Sequence, residues 1–366
     1  MNILFYFPSN RRAIAIETPI LALQEKGHKL SLLTIVDSYG PLHEALKAKG
    51  VTVDYYVIRR KNLIMYYLKH FKFIIQYSKK NNIDIIFSHI QYVNIISVIA
   101  QYFTKTKFIL FRHHDYPKNS KERITDWIIN RLATTIVIPA QSIKKRMIEN
   151  EGVNTKKIKV IPYIYNFDEY SYSLDKLLTE NIKKTYHSKL LLVMVSRIVP
   201  EKRHFYAVKV INELIKKGLD VKLLILDEGS EKNKIMDFVK INNLQNNIFF
   251  LGFQKNVMSY LDSADALLHP SIAEASCSVV KEAGLLKKTV IICKGVGDFD
   301  DYIINNKNGI FVEQTDNGDQ LTTILTDLYN NKEAYYKLGP TLREDILNNF
   351  SVNEKTTKMY LDLLNG

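Results

Sequence analysis

The sequence predicts an α/β protein built from two doubly wound, Rossmann-like domains facing a cleft. Three observations carry that prediction. Short β-branched and aromatic runs alternate with longer helical patterns, the alternation runs through once and then restarts, and 366 residues suffice for two ordinary cores.

In the first half the strands are expected at "NILFYF", "KLSLLTIV", "VTVDYYVI", "IDIIFS", "KFILF", "TTIVIP" and "IKVIP", with helical stretches between most of them. Near-continuous apolar strands separated by helices indicate a parallel sheet covered on both faces. The segment "RRKNLIMYYLKHFKFIIQYSKKNN" interleaves Arg59, Arg60, Lys61, Lys69, Lys72, Lys79 and Lys80 with Leu63, Ile64, Tyr67, Leu68, Phe71, Ile74 and Ile75. That spacing predicts a helix whose apolar set packs on the sheet. Met65, Tyr66 and Phe73, left over beside the lysines, suit shallow contact with an anionic membrane surface.

"VIPYIYNFDEYSYSLDKLL" reads as an irregular connection, after which the pattern restarts with "KLLLVMVS", "DVKLLIL", "NIFFLG", "ADALLHP", "TVIICKG" and "NGIFVE". The closing segment "SVNEKTTKMYLDLLNG" carries apolar residues at helical spacing and is expected to dock as a helix back toward the N-terminal domain. The expected domains are residues 1–170 together with the last helix, about 351–366, and residues 171–350.

The net charge of +13 is uneven. Residues 1 to 200 hold 31 basic and 15 acidic side chains, and residues 201 to 366 hold 20 and 23, so the halves carry +16 and −3. A basic N-terminal half favours anionic partners, and no nucleic-acid-binding motif accompanies it. Cys277 and Cys293 cannot form a disulfide framework, Met1 leads directly into an apolar strand, and no apolar run is long enough to span a bilayer. The expectation is a cytoplasmic protein.

In such folds ligands bind outside the carboxyl ends of the strands. "HPSIAEASCSVVKEAG" follows the strand "ADALL" and places Glu274 in a loop, Ser276, Cys277 and Ser278 at an expected helix start, and Glu282 two turns on. If Ser276 or Ser278 caps that helix, the N–H groups beyond it make an anion site. "VSRIVPEKRHF" follows the first strand of the second domain and adds Arg197 and Lys202, a guanidinium fork and a point charge suited to a diphosphate. A carboxylate near phosphates is repelled by them unless it faces hydroxyls or cations.

The segments "SRIVPEK", "EASCSVVKE" with its E-x7-E spacing, "VIPYIYNFD", "FLGF" and "NNKNGIFVE" together resemble the retaining glycosyltransferase family 4, of GT-B fold. The resemblance implies a retaining, metal-independent transferase. It would move a sugar from a nucleoside diphosphate donor of UDP or GDP type to a glycan or lipid-linked acceptor, in cell-surface polysaccharide or lipopolysaccharide assembly. It implies no cofactor, the nucleotide sugar being a substrate. By motif position Arg197 and Lys202 hold the diphosphate, Glu274 the sugar hydroxyls, the N–H groups of Ser276, Cys277 and Ser278 the sugar and phosphate, and Glu282 the ribose. In "RHHDYP" His114, preceding Asp115, matches the family's histidine that contacts the donor sugar from the N-terminal domain, and it is counted as catalytic with Glu274, Arg197 and Lys202. His113, His89, Arg11 and Arg12 are candidate contacts to an acceptor or a phosphate.

The chain departs from the family in three places. "FPSNRRAIAIETP" lacks the paired glycines after the first strand, "LDEG" stands where a Gly-x-Gly turn is usual, and "ASCS" replaces Gly-Phe-Gly after the first glutamate. Cys277 reads as a small filler without a partner. The Asp-x-Asp of "GDFDD" reads as structural, so no metal is expected. Other readings of the same features are a nucleotide-sugar epimerase of this fold, or a non-catalytic, donor-binding partner subunit of a transferase.

Overall fold

All thirteen predicted strands are present, in two sheets with every pairing parallel. The structure is a computed structural model that describes residues 1–57, 62–115, 119–168, 174–315 and 317–365. It divides into two compact units, one of Met1–Tyr165 with Phe350–Gly366 and one of Asn166–Asn349.

In the first unit the strands β1 (Asn2–Phe7), β2 (Lys29–Thr34), β3 (Thr52–Tyr55), β4 (Ile85–His89), β5 (Lys107–Phe111), β6 (Ile136–Ile138) and β7 (Ile158–Val160) lie in the order β3-β2-β1-β4-β5-β6-β7. The order reverses between β1 and β4, the switch point at which doubly wound sheets open their loops to ligands. One core face is formed by Ile3, Phe5 and Phe7 of β1 against Ile16, Ile20 and Leu23 of α1 (Ile14–Glu25). Tyr360, Leu363 and Leu364 of the last helix, Glu354–Asn365, complete it. Lys107 Nζ caps that helix by donating to the Leu363 carbonyl at 2.8 Å. Each of the two leucines, fully buried, contributes about 1.5–3 kcal/mol.

In the second unit β8 (Leu190–Val195), β9 (Val221–Leu226), β10 (Ile248–Gly252), β11 (Ala266–His269), β12 (Thr289–Cys293) and β13 (Ile310–Val312) run in the order β10-β9-β8-β11-β12-β13. Here β8 and β11 flank the switch point and pair directly, Ala266 with Leu192 and Leu267 with Val193. The loops bearing Arg197 and Glu274, far apart along the chain, therefore leave neighbouring strands at the same edge of the sheet.

The helix α3 (Leu63–Lys80) forms, but a different face is buried. The sequence puts Ile64 and Leu68 against the sheet, whereas they are 72% and 48% exposed. Tyr66, His70 and Ser78 face inward with the expected Ile74, each four residues on from the last. His70 explains the error: a neutral imidazole, its pKa lowered to about 4 by burial, packs as an aromatic ring against Tyr6, Tyr66 and Tyr92. Tyr66 is thus withdrawn from any lipid contact, and Phe73 stacks on Tyr56 at 3.8 Å. Arg59, Arg60 and Lys61 lie outside the described residues. No helix among the described residues is long and apolar enough to cross a membrane.

Candidate active site

The second unit builds its site from three loops at the carboxyl edge of its sheet. The segment after β8 turns through the short 3-10 turn Pro200–Lys202 and enters α8 (His204–Lys216). The β11 loop is tied to it, with Ile272 N–H donating to the Glu201 carbonyl at 2.9 Å and Ser271 Oγ to the same oxygen at 3.3 Å. The β9 loop braces it from the other side, where Ile198 N–H donates to Glu228 O and Glu231 N–H to Ile198 O. Gly229 of "LDEG" makes that contact feasible, since a Cβ there would lie 2.2 Å from the Ile198 carbonyl oxygen. Asp227, at the first position of the turn, adopts φ +91°, a left-handed conformation that normally favours glycine. Its carboxylate steadies the turn by accepting from Glu228 N–H at 2.8 Å.

Arg197 is exposed, and no side-chain hydrogen bond or ion pair holds it among the described residues. Lys202 donates to Glu274 Oε1 at 2.5 Å and to the Ala273 carbonyl at 3.1 Å, which leaves a third N–H. Glu274 Oε1 also contacts His269 Nε2 at 2.7 Å. Burial alone would raise the Glu274 carboxyl, but His269 and Lys202 hold it down at about 2. The same burial disfavours a charged His269, yet Cys277 and Glu274 raise it to about 10. Glu274 is therefore an ionised carboxylate with one oxygen clamped by two cations. The loop packs closely on Gly297, whose φ is +53°; a Cβ at that glycine would come within 3.0 Å of Glu274 Cβ, so the position has no room for a side chain.

Sequence reasoning missed His269. Its signal was present: it ends a strand at the carboxyl edge, the rule that selected Glu274. Cys277, read as a filler without a partner, has one, with its Sγ 3.5 Å from His269 Nε2.

Neither serine caps the helix α11 (Ser278–Leu285). Cys277 is the N-cap residue and no side chain bonds there, so the first N–H groups keep their donor capacity. Ser276 Oγ instead donates to Asp298 Oδ2 at 2.6 Å, which ties the loop from below. Lys281, wholly buried, donates to the same Asp298 oxygen at 2.7 Å, to Ser276 Oγ at 3.1 Å and to the Cys277 carbonyl at 3.3 Å. Asp298 and Asp300 of "GDFDD" go to separate partners, Lys281 and the Gly295 N–H, and do not converge. A lysine between Val280 and Ala283 on a buried face was the unread signal for this pair. Glu282 stands one turn into α11, where burial pushes its carboxyl up to about 7 against the opposing Ser278 hydrogen bond and Lys281 charge.

Among the described residues, the metal-ligating group close enough to share an ion is His269, Glu274 and Cys277, with ligand atoms within 4.8 Å of one another. An ion there would have to displace the His269 proton and the Lys202 ammonium from the carboxylate.

The first unit holds a separate histidine cluster at the ends of β4 and β5. His114 Nε2 lies 2.7 Å from Asp126 Oδ2 of α5 (Ser120–Leu132) and stays partly exposed. Asp126 also accepts from Gln91, and although burial opposes it, His114 and Arg112 hold its carboxyl below the usual range. Arg112 grips Glu151 with two hydrogen bonds of 2.6 and 2.8 Å. His113 is bonded on both ring nitrogens, to His89 at 2.9 Å and Tyr163 at 2.6 Å. Burial and the His114 charge lower it to about 4. His89 is fully buried between Phe5 and Phe111. His89 has no exposed surface and both ring nitrogens of His113 are bonded, so in this structure the two histidines brace the loop. Arg12 bonds Glu17 at 2.6 Å, and Arg11 is exposed after β1.

Comparison with known proteins agrees with this organisation. Residues 20–168 match the family model Glycosyltransferase Family 4, and residues 176–345 match Glycosyl transferases group 1. An uncharacterised glycosyltransferase of Methanocaldococcus jannaschii is 26% identical over 245 residues, covering 64% of this chain and 59% of that protein. The poly(ribitol-phosphate) alpha-N-acetylglucosaminyltransferase of Staphylococcus aureus is 29% identical over 186 residues, 51% of this chain and 37% of that protein. The chain thus spans less than two thirds of the length of either relative. The crystal structure of Anabaena HepE in complex with UDP-glucose superimposes with a TM-score of 0.82 at 16% identity, over 100% of both chains. A glycosyltransferase family model thus matches each half of the chain, and the chain shares its fold with HepE.

Proposed function

We propose that the chain is a retaining, metal-independent glycosyltransferase that moves a sugar from a nucleoside diphosphate to a glycan or lipid-linked acceptor of the cell surface. The observation that carries the reading is the clamped Glu274. Its Oε1 is held by Lys202 and His269, so Oε2 is the oxygen left for sugar hydroxyls, in the loop that leads into α11 and at the same sheet edge as the exposed Arg197. The polysaccharide role follows the likeness to a capsular polysaccharide biosynthesis glycosyltransferase of Staphylococcus aureus, and the UDP-glucose held by HepE makes UDP the first nucleotide to test.

In this reading Arg197, the third N–H of Lys202 and the N–H groups at the start of α11 take the diphosphate. Glu282 accepts from the ribose. The bond from the anomeric carbon to phosphate breaks while the acceptor oxygen bonds the same face of that carbon, and the acceptor proton passes to the departing phosphate. Negative charge grows on the leaving diphosphate, where fixed cations and helix N–H groups stabilise it most. No protein nucleophile is required. In the first unit His114, oriented by Asp126, is the histidine assigned to the donor sugar.

The test is a thermal-shift screen with nucleoside diphosphates and their sugars, followed by donor turnover with and without acceptor. UDP should stabilise the wild type and not Glu282→Ala. Glu274→Ala should keep the bare nucleotide and lose the added stabilisation by the sugar. No shift with any diphosphate would overturn the donor site, and full turnover without an acceptor would point to an epimerase.

A further inference from the structure

In the first unit α3, α4 (Gln91–Ala100) and α5 form one helical layer, with α4 packed between the other two. The sequence of α4, "QYVNIISVIA", has no charged residue. A helix that carries no charge is expected to be largely buried. Its inner side is, through Val93, Ile96 and Val98. Its outer side is not: Ile99 is 41% exposed and Tyr102, just beyond the helix, 62%. On either side the layer adds Leu68 of α3 and, on α5, Ile124 and Trp127, which are 62% and 64% exposed.

The charges on these three helices have one dominant sign. Lys69, Lys72, Lys79, Lys80, Lys121, Arg123 and Arg131 are exposed. The acids are Glu122, partly buried, and Asp126, buried and bonded to His114 and Gln91. Protein interfaces are depleted in lysine at their apolar centre, whereas lipid headgroups accept apolar side chains ringed by lysines whose stems lie flat and whose ammonium groups reach phosphate. Trp and Tyr, apolar with one polar tip, are the residues that settle at that boundary.

We propose that the outer face of the α3–α4–α5 layer docks on an anionic bilayer surface, with Ile99, Tyr102, Ile124 and Trp127 entering the headgroup region and the lysines and arginines pairing with lipid phosphate. This surface is distinct from the donor site and does not depend on its assignment.

Trp127 is the sole tryptophan of the chain, so it reports the contact directly. The full chain is mixed with vesicles of phosphatidylcholine, alone or carrying phosphatidylglycerol, and its emission is followed. The expected result is partition onto the anionic vesicles with a blue shift and quenching by brominated acyl chains. Ile99→Ser with Tyr102→Ser should lower partition by about tenfold or more while leaving the thermal shift by UDP unchanged. Lys69→Gln with Lys72→Gln should weaken binding to anionic vesicles only. Absence of partition at low salt overturns the proposal, as does pelleting with unchanged Trp127 emission, which would mean adsorption by charge alone. A concentration-dependent dimer dissolved by the α4 double variant would reassign the face to a second copy of the chain.

Discussion

The buried pair of Lys281 and Asp298 should behave as a coupled unit. Both side chains are shut off from water, 0% and 1% exposed, with the ammonium 2.7 Å from the carboxylate. At that distance and an effective dielectric near 20 the attraction is about 6 kcal/mol. Most of it offsets the several kcal/mol lost by each ion on leaving water, so the pair adds little net stability. Removing one member is different, because the other stays buried without its counter-charge. Lys281→Met and Asp298→Asn are each expected to cost about 3–5 kcal/mol, and the double variant far less than their sum. Urea unfolding followed by far-UV circular dichroism gives the cycle. Moderate salt should not change it, since a buried pair is poorly screened. The Asp298 variant also weakens the tie to the Ser276 hydroxyl, an amide oxygen being a poorer acceptor than a carboxylate, so UDP should stabilise it less than the wild type. Single-variant costs below about 1 kcal/mol, or strict additivity, would refute the reasoning and make the pair incidental to the loop.

Three further outcomes follow from the same geometry. Burial holds the Glu282 carboxyl up at about 7, and a carboxylate accepts from hydroxyls better than a carboxylic acid, so on the proposed ribose contact affinity for UDP should fall as pH drops below 7, by up to about tenfold per pH unit; calorimetry should show this slope reduced in Glu282→Gln. His269 is raised from 6.5 to about 10, so its contribution is complete below pH 6.5 and lost as pH rises toward 10. His269→Gln should therefore cost roughly 2–3 kcal/mol at pH 6 and progressively less at higher pH, measured by denaturation across that range. Gly229→Ala drives a Cβ onto the Ile198 carbonyl, and backbone cannot yield cheaply, so roughly 3 kcal/mol of stability and much of the UDP response should go, read by thermal shift.

The strands were legible because they are buried on both faces and therefore spelled in uninterrupted apolar letters, as "KLLLVMVS" shows. The site was legible in part for a related reason: Arg197 and Glu274 follow strands, and the switch between β8 and β11 brings such loops together. What the sequence hid are polar residues used as core. His70 turns α3 by packing as a neutral ring, and Lys281 sits inside α11 only because Asp298 meets it from a distant loop. Each depends on a partner chosen by tertiary structure, which local pattern does not encode. His269 and Cys277 are the same case at the centre of the site, where each looks inert until the fold sets them 3.5 Å apart.

The last helix also bears on how the protein is made. Residues 166–349 form the second unit, and the first unit resumes only at Phe350. A ribosome finishes the whole of the second unit before it delivers Tyr360, Leu363 and Leu364, the side chains that close over Ile16, Ile20 and Leu23. For that interval the earlier unit waits with an open apolar seam while the later one can already fold. Synthesis order and completion order are inverted, and a nascent chain halted before residue 354 should need chaperone cover over α1 until release.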